Sequence, residues 1–240
     1  MKNILCVKWG DKYSTEYVEK LKQQIEKHCS YDFNFYCLTD KPEKEYDLRL
    51  PQQWDKYFIQ NRFWAYRKLY MFNETFFFNM QGDEFLFFDL DVILHNSIDY
   101  FFELEMSKPW IVRGWWNDIE VCKKNYNKGI SPLINSSVIR WNRGQLKDIY
   151  KHIENNIEYI FFTYKTIDNY FNRVWYNIEN DQSKKFNLFE KNKIYSWYKG
   201  NIFPDDMKTN ILRKDHIVCL FNNNTIEDDK AIEEVWKQNV

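Results

Sequence analysis

The chain of 240 residues sets 34 Lys and Arg against 35 Asp and Glu, a net charge of -1, and is 44% hydrophobic and 20% aromatic. That length suits one α/β domain with a large core, and the even charge argues against broad nucleic-acid binding, which needs a basic face. Five cysteines, Cys6, Cys29, Cys37, Cys122 and Cys219, are odd in number and contain no C-x-x-C pair, so they read as reduced thiols of a cytoplasmic protein and not as a zinc site or a disulfide framework.

The apolar run at residues 4–7 is too short for a signal peptide and reads as a first buried strand. Since no stretch approaches the roughly 20 apolar residues of a spanning helix, membrane contact is expected to be peripheral at most. Tyr17, Val18, Leu21 and Ile25 then recur at helical spacing, which predicts an amphipathic helix capped by Ser14 and reaching about His28. Residues 33–38 read as a second strand, ending in Thr39-Asp40. This strand, helix, strand order predicts a Rossmann-like sheet at the amino end. A helix is predicted over residues 61–72, with Trp64, Ala65, Leu69 and Phe72 as its apolar stripe. Lys68 falls inside that stripe, where it either snorkels outward or reaches a buried anion. Gln81-Gly82-Asp83 reads as the turn into the next strand.

Phe85-Leu86-Phe87-Phe88 has no helical spacing and predicts a strand buried on both faces, running into Asp89-Leu90-Asp91 and then Val92-Ile93-Leu94. In extended backbone Asp89 and Asp91 would project to the same side, and open α/β sheets gather ligands at the carboxyl ends of their strands. A strand this apolar, ending in two acids without a basic neighbour, suggests a metal as their partner. Residues 110–114 predict another strand. The polar residues 117–133, with Gly129 and Pro132, predict a loop over the site. Residues 134–141 are predicted as a strand, residues 142–153 as a helix that opens on Asn142-Arg143-Gly144-Gln145, and residues 157–164 as a separate aromatic stretch. Strands at 194–197 and 217–221 and a closing helix at 226–237, resting on Ala231, Ile232, Val235 and Trp236, complete the chain. The fold class is α/β: one domain with an open mixed sheet flanked by helices.

The segment from Phe85 through Asp89-Leu90-Asp91, followed by Ile98-Asp99-Tyr100-Phe101-Phe102, resembles the Asp-x-Asp motif of A-type nucleotide-sugar glycosyltransferases, nearest the glycogenin and bacterial galactosyltransferase type. Asn135-Ser136-Ser137-Val138 resembles the N-S-G-V strand that lines the sugar pocket in that family, with Ser137 where glycine is common. Residues 166–172 resemble its G-D-Q-D-x-x-N segment, of which Asp168 is the surviving acid, beside Asn169. The resemblance implies a nucleotide-binding half at 1–100 and a sugar- and acceptor-binding half at 101–240. It also implies uridine held near Val7, Tyr13 and Asp40, and a basic residue on the donor at Lys68, with Arg62 and Arg67 as alternatives. Asp91 would bind Mn2+ or Mg2+, Asp89 would bridge ribose and metal, Asn135, Ser136 and Ser137 would line the pocket, and Asp168 would orient the sugar or buffer its developing charge. Where relatives carry a metal-binding histidine after the last strand, this chain has Asn222-Asn223-Asn224, so the third metal ligand is expected to be Asn222.

The implied reaction is metal-dependent transfer of a hexose from a nucleoside diphosphate sugar, expected to be a UDP-sugar, to an acceptor hydroxyl such as that of a surface glycan or lipid-linked saccharide. Two other readings compete. Asp89-Leu90-Asp91-Val92-Ile93-Leu94 also resembles the nucleophile motif of haloacid-dehalogenase-type phosphatases, although that motif normally follows the first strand of its fold. The aromatic content would also suit a non-catalytic carbohydrate-binding protein.

Overall fold

A computed structural model describes residues 1–58, 64–73, 75–76, 80–128, 130–176, 178, 184–222, 233–234 and 236. The amino-terminal half lays β1 (Lys2–Lys8), β2 (Phe33–Thr39), β3 (Asp47–Arg49) and β4 (Glu84–Phe88) parallel, with β1 between β2 and β4. Beyond these, β5 (Val92–Leu94), β6 (Trp110–Arg113), β7 (Ile134–Asn142), β8 (Asn187–Leu188), β9 (Ile194–Ser196) and β10 (Val218–Leu220) follow along the chain. Among the described residues they form a seven-stranded mixed sheet in the order β3-β2-β1-β4-β7-β6-β8 and a three-stranded sheet in the order β5-β10-β9. β7 runs antiparallel to β4 and β6.

Because both faces of the large sheet are covered, the side chains that alternate along its central strands are buried on either side. Ile4, Cys6, Leu86 and Phe88 face a core shared with the small sheet and with Tyr17, Val18, Leu21 and Ile25 of the helix Thr15–His28. Leu5, Val7, Phe85 and Phe87 face the opposite core, filled by Tyr66, Leu69 and Tyr70 and by Ile149, Ile153 and Ile160 of the helix Lys147–Thr163. Ser14 sits at the N-cap with extended backbone, as expected, but its side chain makes no capping bond. At the turn before β4, Gly82 has φ +81°, and a Cβ there would lie 2.1 Å from the carbonyl oxygen of Met1. Only glycine fits.

Several elements differ from the sequence expectation. The described part of the 61–72 segment, Trp64–Phe72, winds as a tight 3₁₀ helix, and Arg62 lies outside the described residues. Residues 117–133 are not a loop throughout. The Asp118 carboxylate accepts from the Glu120 amide and starts a helix, Ile119–Asn125, that buries Cys122. The expected break between 153 and 157 is only a kink at Asn156, so one helix runs from Lys147 to Thr163. It begins after a turn in which Gly144 has φ +86°. Of the closing helix, only residues 233, 234 and 236 are described, and Trp236 packs 4.7 Å from the Tyr17 ring. No helix among the described residues is long and apolar enough to cross a membrane.

A histidine cluster at the far end of the small sheet makes stability pH-dependent. His95 is within 3.0 Å of the Tyr195 hydroxyl, and burial, then the charges of His216, His28 and Lys214, push its pKa down to about 4. Burial lowers His28, His152 and His216 as well. A base depressed in the fold takes up its proton more readily when unfolded. Its stabilising contribution is therefore complete above the unfolded value of about 6.5 and is lost as pH falls towards 4. Denaturant unfolding between pH 7 and pH 4.5 should show stability falling by on the order of 1 kcal/mol per pH unit. His95→Gln, which keeps a partner for Tyr195, should flatten that slope.

Candidate active site

The Asp-x-Asp segment is the crossing from one sheet to the other. β4 ends at Phe88, but the ladder runs one bond further, the Asp89 amide donating to the Ser137 carbonyl at 2.8 Å. Leu90 is buried in the turn, Phe221 donates to the Asp91 carbonyl at 3.1 Å, and Val92 opens β5 in the small sheet. The expectation that strand alternation aligns the two acids is thus corrected. They stand in a bend between two sheets, because Val92 must turn to pair with Leu220 of β10. Both still face Tyr13. Burial first, and then the charges of Asp91 and Asp89 together with a hydrogen bond to Asp91, hold the Tyr13 phenol well above its ordinary range. Tyr13 leaves the loop after β1, so this contact spans the point between β1 and β4 at which strand order reverses. Open sheets of this kind bind ligands there.

Lys68 does not snorkel. Only 6% exposed, it places its ammonium 2.6 and 2.8 Å from the two carboxylate oxygens of Asp89, 3.5 Å from Ser136 Oγ and over the Phe87 ring. Arg67 instead reaches Asp55, away from this cluster. Asp168 lies one strand across. Its carboxylate accepts from the Ser136 amide at 2.8 Å and from Asn135 Nδ2 at 3.2 Å, while Asn135 Oδ1 accepts from the Ser137 amide. A register slip in the β6–β7 pairing makes this possible. Ile111 faces Ile139 but Val112 faces Asn135, so residues 136–138 have no cross-strand partner on β6 and the Ser136 amide is left for Asp168. Burial raises the Asp168 pKa, the charge of Lys68 and the bonds from Ser136 pull it back, and Asp89 adds to the rise.

A cleft of about 190 Å³ opens beside these groups, lined among others by Trp116, Asn117, Asn135, Asp168, Lys199 and Asn222. Asn222 follows the residue that pairs with Asp91. It takes φ +53°, and its side-chain oxygen accepts from the Ser196 hydroxyl. Val7 and Asp40 stand at the same end of the sheet but outside this cluster. The Val7 side chain is core, and the Asp40 carboxylate accepts from the Gly10 amide at 3.1 and 3.3 Å, tying down the loop that carries Tyr13.

Solved structures of similar architecture carry sugar-transfer names. The galactosyltransferase LgtC, solved with donor and acceptor sugar analogs, matches over 99% of this chain and 94% of its own at 12% identity and TM-score 0.63. A glycosyltransferase involved in glycosylation of the major capsid of PBCV-1 matches over 99% and 100% at 14% identity and TM-score 0.55. Mouse xyloside xylosyltransferase 1 matches over 93% and 98% at 14% identity and TM-score 0.57. This is the A-type glycosyltransferase fold. No family profile matches the chain, and no curated protein matches its sequence.

Within the glycosyltransferase fold, the cleft contains residues that sequence reasoning passed over, Trp116, Asn117 and Lys199. The last had a readable signal. Gly200 after a strand marks a turn, and here it has φ +87° with Met207 Cα 2.8 Å from where a Cβ would stand. Asp89 and Asp91 at the sheet crossing, and Asn222 one residue beyond Phe221, carry side-chain oxygens of the hard type that could hold Mn2+ or Mg2+. Among the described residues no three His, Cys, Asp or Glu side chains converge into a cage. A cation there would complete its shell from substrate oxygens.

Proposed function

We propose that this protein is a metal-dependent hexosyltransferase that uses a nucleoside diphosphate sugar, a UDP-sugar in our reading, and an acceptor hydroxyl. The observation that carries this reading is the convergence of Lys68, Asp89, Asp91 and Tyr13 at the reversal point of the sheet, with Asp168 across the adjoining cleft. Asp91, Asp89 and Asn222 would hold the cation, whose chemistry when bound is to draw charge from the departing diphosphate, worth several kcal/mol. Lys68 fixes Asp89 and keeps a positive charge beside the phosphates. Tyr13, protonated at every working pH, orients Asp91 and closes the nucleotide side of the site. Asp168, held in one orientation by Ser136 and Asn135, presents its carboxylate towards the sugar, where in a water-poor cleft it stabilises positive charge developing on the ring.

Asp89 as a phosphatase nucleophile is disfavoured by the same geometry. The motif follows β4, the fourth strand of the chain, and not β1. A panel of UDP-sugars incubated with Mn2+ separates the readings. Release of UDP that is lost in Asp89→Asn supports the transferase. Release of phosphate from an aryl phosphate, lost in the same variant, contradicts it.

A further inference from the structure

We infer that Asn172 and Arg173, on the helical turn that follows Asp168, are positioning residues for the sugar side of the cleft, holding one of its walls in register with Asp168. The inference rests on the sugar-side role proposed above for Asp168 and adds to it the contacts that fix the cleft around that carboxylate. The chain passes here from a short α-helix, Ile167–Tyr170, into a π-helical turn, Phe171–Trp175, a rare form that recurs at functional sites. Asp168 and Asn172 stand about one turn apart, and both accept from main-chain amides at the start of β7. Asp168 takes the Ser136 amide at 2.8 Å, and the buried Asn172 takes the Leu133 amide on its Oδ1 at 3.0 Å.

Leu133 lies at the middle of the wall. Ser131 and Pro132 before it and Ile134 and Asn135 after it all line the cleft. Asn117, which lines it too, donates to the Pro132 carbonyl at 3.0 Å, and the Gly114 amide donates to the Leu133 carbonyl at 2.9 Å. Between Asn117 and Pro132 the chain therefore leaves the cleft and returns to it, carrying the helix Ile119–Asn125 on the way. Arg173 grips this excursion midway. Its guanidinium donates to the Tyr126 carbonyl and to Asn127 Oδ1, both at 2.9 Å, and sits 4.4 Å from the centre of the Tyr126 ring, whose hydroxyl donates back to the Arg173 carbonyl at 3.1 Å. Consecutive residues of a helix point in different directions, so a single turn holds the excursion at its return through Asn172 and midway through Arg173. Asp168 and this wall of its cleft are thereby carried as one body.

The UDP-sugar that releases UDP fastest in the panel above, with Mn2+, tests this in the wild type, Asn172→Ala, Arg173→Ala, Arg173→Lys and Asp168→Asn, each assayed well below its melting temperature. A displaced wall misplaces the reacting groups without touching the nucleotide. In both alanine variants kcat should therefore fall about tenfold or more, while the KM for the UDP-sugar and the calorimetric affinity for UDP stay within about twofold. Arg173→Lys keeps the charge but not the paired bonds of the guanidinium, and should lie between Arg173→Ala and the wild type. A side chain that served the fold alone would lower the melting temperature and leave kcat unchanged. That result in Arg173→Ala, with Asp168→Asn impaired, overturns the inference by itself, as does a loss of UDP affinity in step with kcat. Should Asn172→Ala fail to fold, the two Arg173 variants decide by the same criteria. An Asp168→Asn that keeps full turnover, or a wild type that turns over no UDP-sugar, overturns the underlying reading and this role with it.

Discussion

Lys68→Ala should lose about 2–3 kcal/mol of stability as well as activity, because it strands the Asp89 carboxylate in a pocket from which water is largely excluded. The pair is bidentate, with side-chain exposures of 8% for Lys68 and 19% for Asp89. The residual exposure of Asp89 keeps the expected cost at or below the lower end of the range for fully buried pairs. In a protein of this size the loss corresponds to roughly 5–10 °C in melting temperature. The double variant Lys68→Ala/Asp89→Asn removes both charges and should recover most of that stability. Its transfer activity should stay at the level of the single variants, since both groups act on the donor. Thermal melts and turnover on the same four proteins complete the cycle. If Lys68→Ala melted like the wild type, the ion pair would not be holding the site together. If the double variant transferred sugar normally, neither charge would belong to the donor site.

Asp168→Asn is expected to lower transfer by a factor on the order of 100 or more, the scale of an electrostatic group aimed at developing charge, with nucleotide binding changed only slightly. The substitution is nearly isosteric, but it is not neutral in hydrogen bonding. The Asp168 carboxylate accepts two bonds, from the Ser136 amide and from Asn135 Nδ2. An asparagine can keep the first but turns an NH2 group towards the Asn135 amide, setting donor against donor. Asn135 cannot simply flip, because its oxygen is committed to the Ser137 amide. The pocket wall should therefore loosen locally while Asp89, Asp91 and Tyr13 stay in place. Turnover and UDP affinity are to be measured on the same sample. If both collapse together, Asp168 serves the nucleotide site or the fold, not sugar transfer.

Much of this fold could be read from the sequence because its strands are so apolar. The stretches at 4–7, 33–38, 85–88 and 134–141 all became strands of the large sheet, and in the first three a run of four consecutive apolar residues, 4–7, 35–38 and 85–88, suits burial on both faces at the centre of such a sheet. The short edge strands β3 and β8 were missed. Three and two residues leave no periodicity to detect, and pairing with β2 and β6 creates them. The helix at Ile119–Asn125 was missed because its cap, Asp118, was read as part of a polar loop. At the site, residue types were legible and geometry was not. Sequence spacing suggested a strand that would align Asp89 and Asp91, whereas their bend is imposed by β10, more than a hundred residues away. Lys68 could not be assigned a partner from its helical stripe, because Asp89 comes from a different element. The slip that frees the amide of Ser136 for Asp168 leaves no mark in Asn135-Ser136-Ser137 itself.

If Asp89 and Asp91 mark a metal-assisted nucleoside diphosphate site, thermal shift with UDP in the presence and absence of Mn2+ should reveal it. UDP at 100 times its dissociation constant adds about 2.7 kcal/mol to a protein that binds it when folded. The wild type should gain that stabilisation with UDP and Mn2+ together and much less with either alone, while Asp91→Ala should melt as a folded protein and gain nothing from Mn2+. A wild type indifferent to UDP, or an Asp91→Ala that keeps the full Mn2+-dependent shift, would mean that Asp91 does not hold a cation for a nucleoside diphosphate.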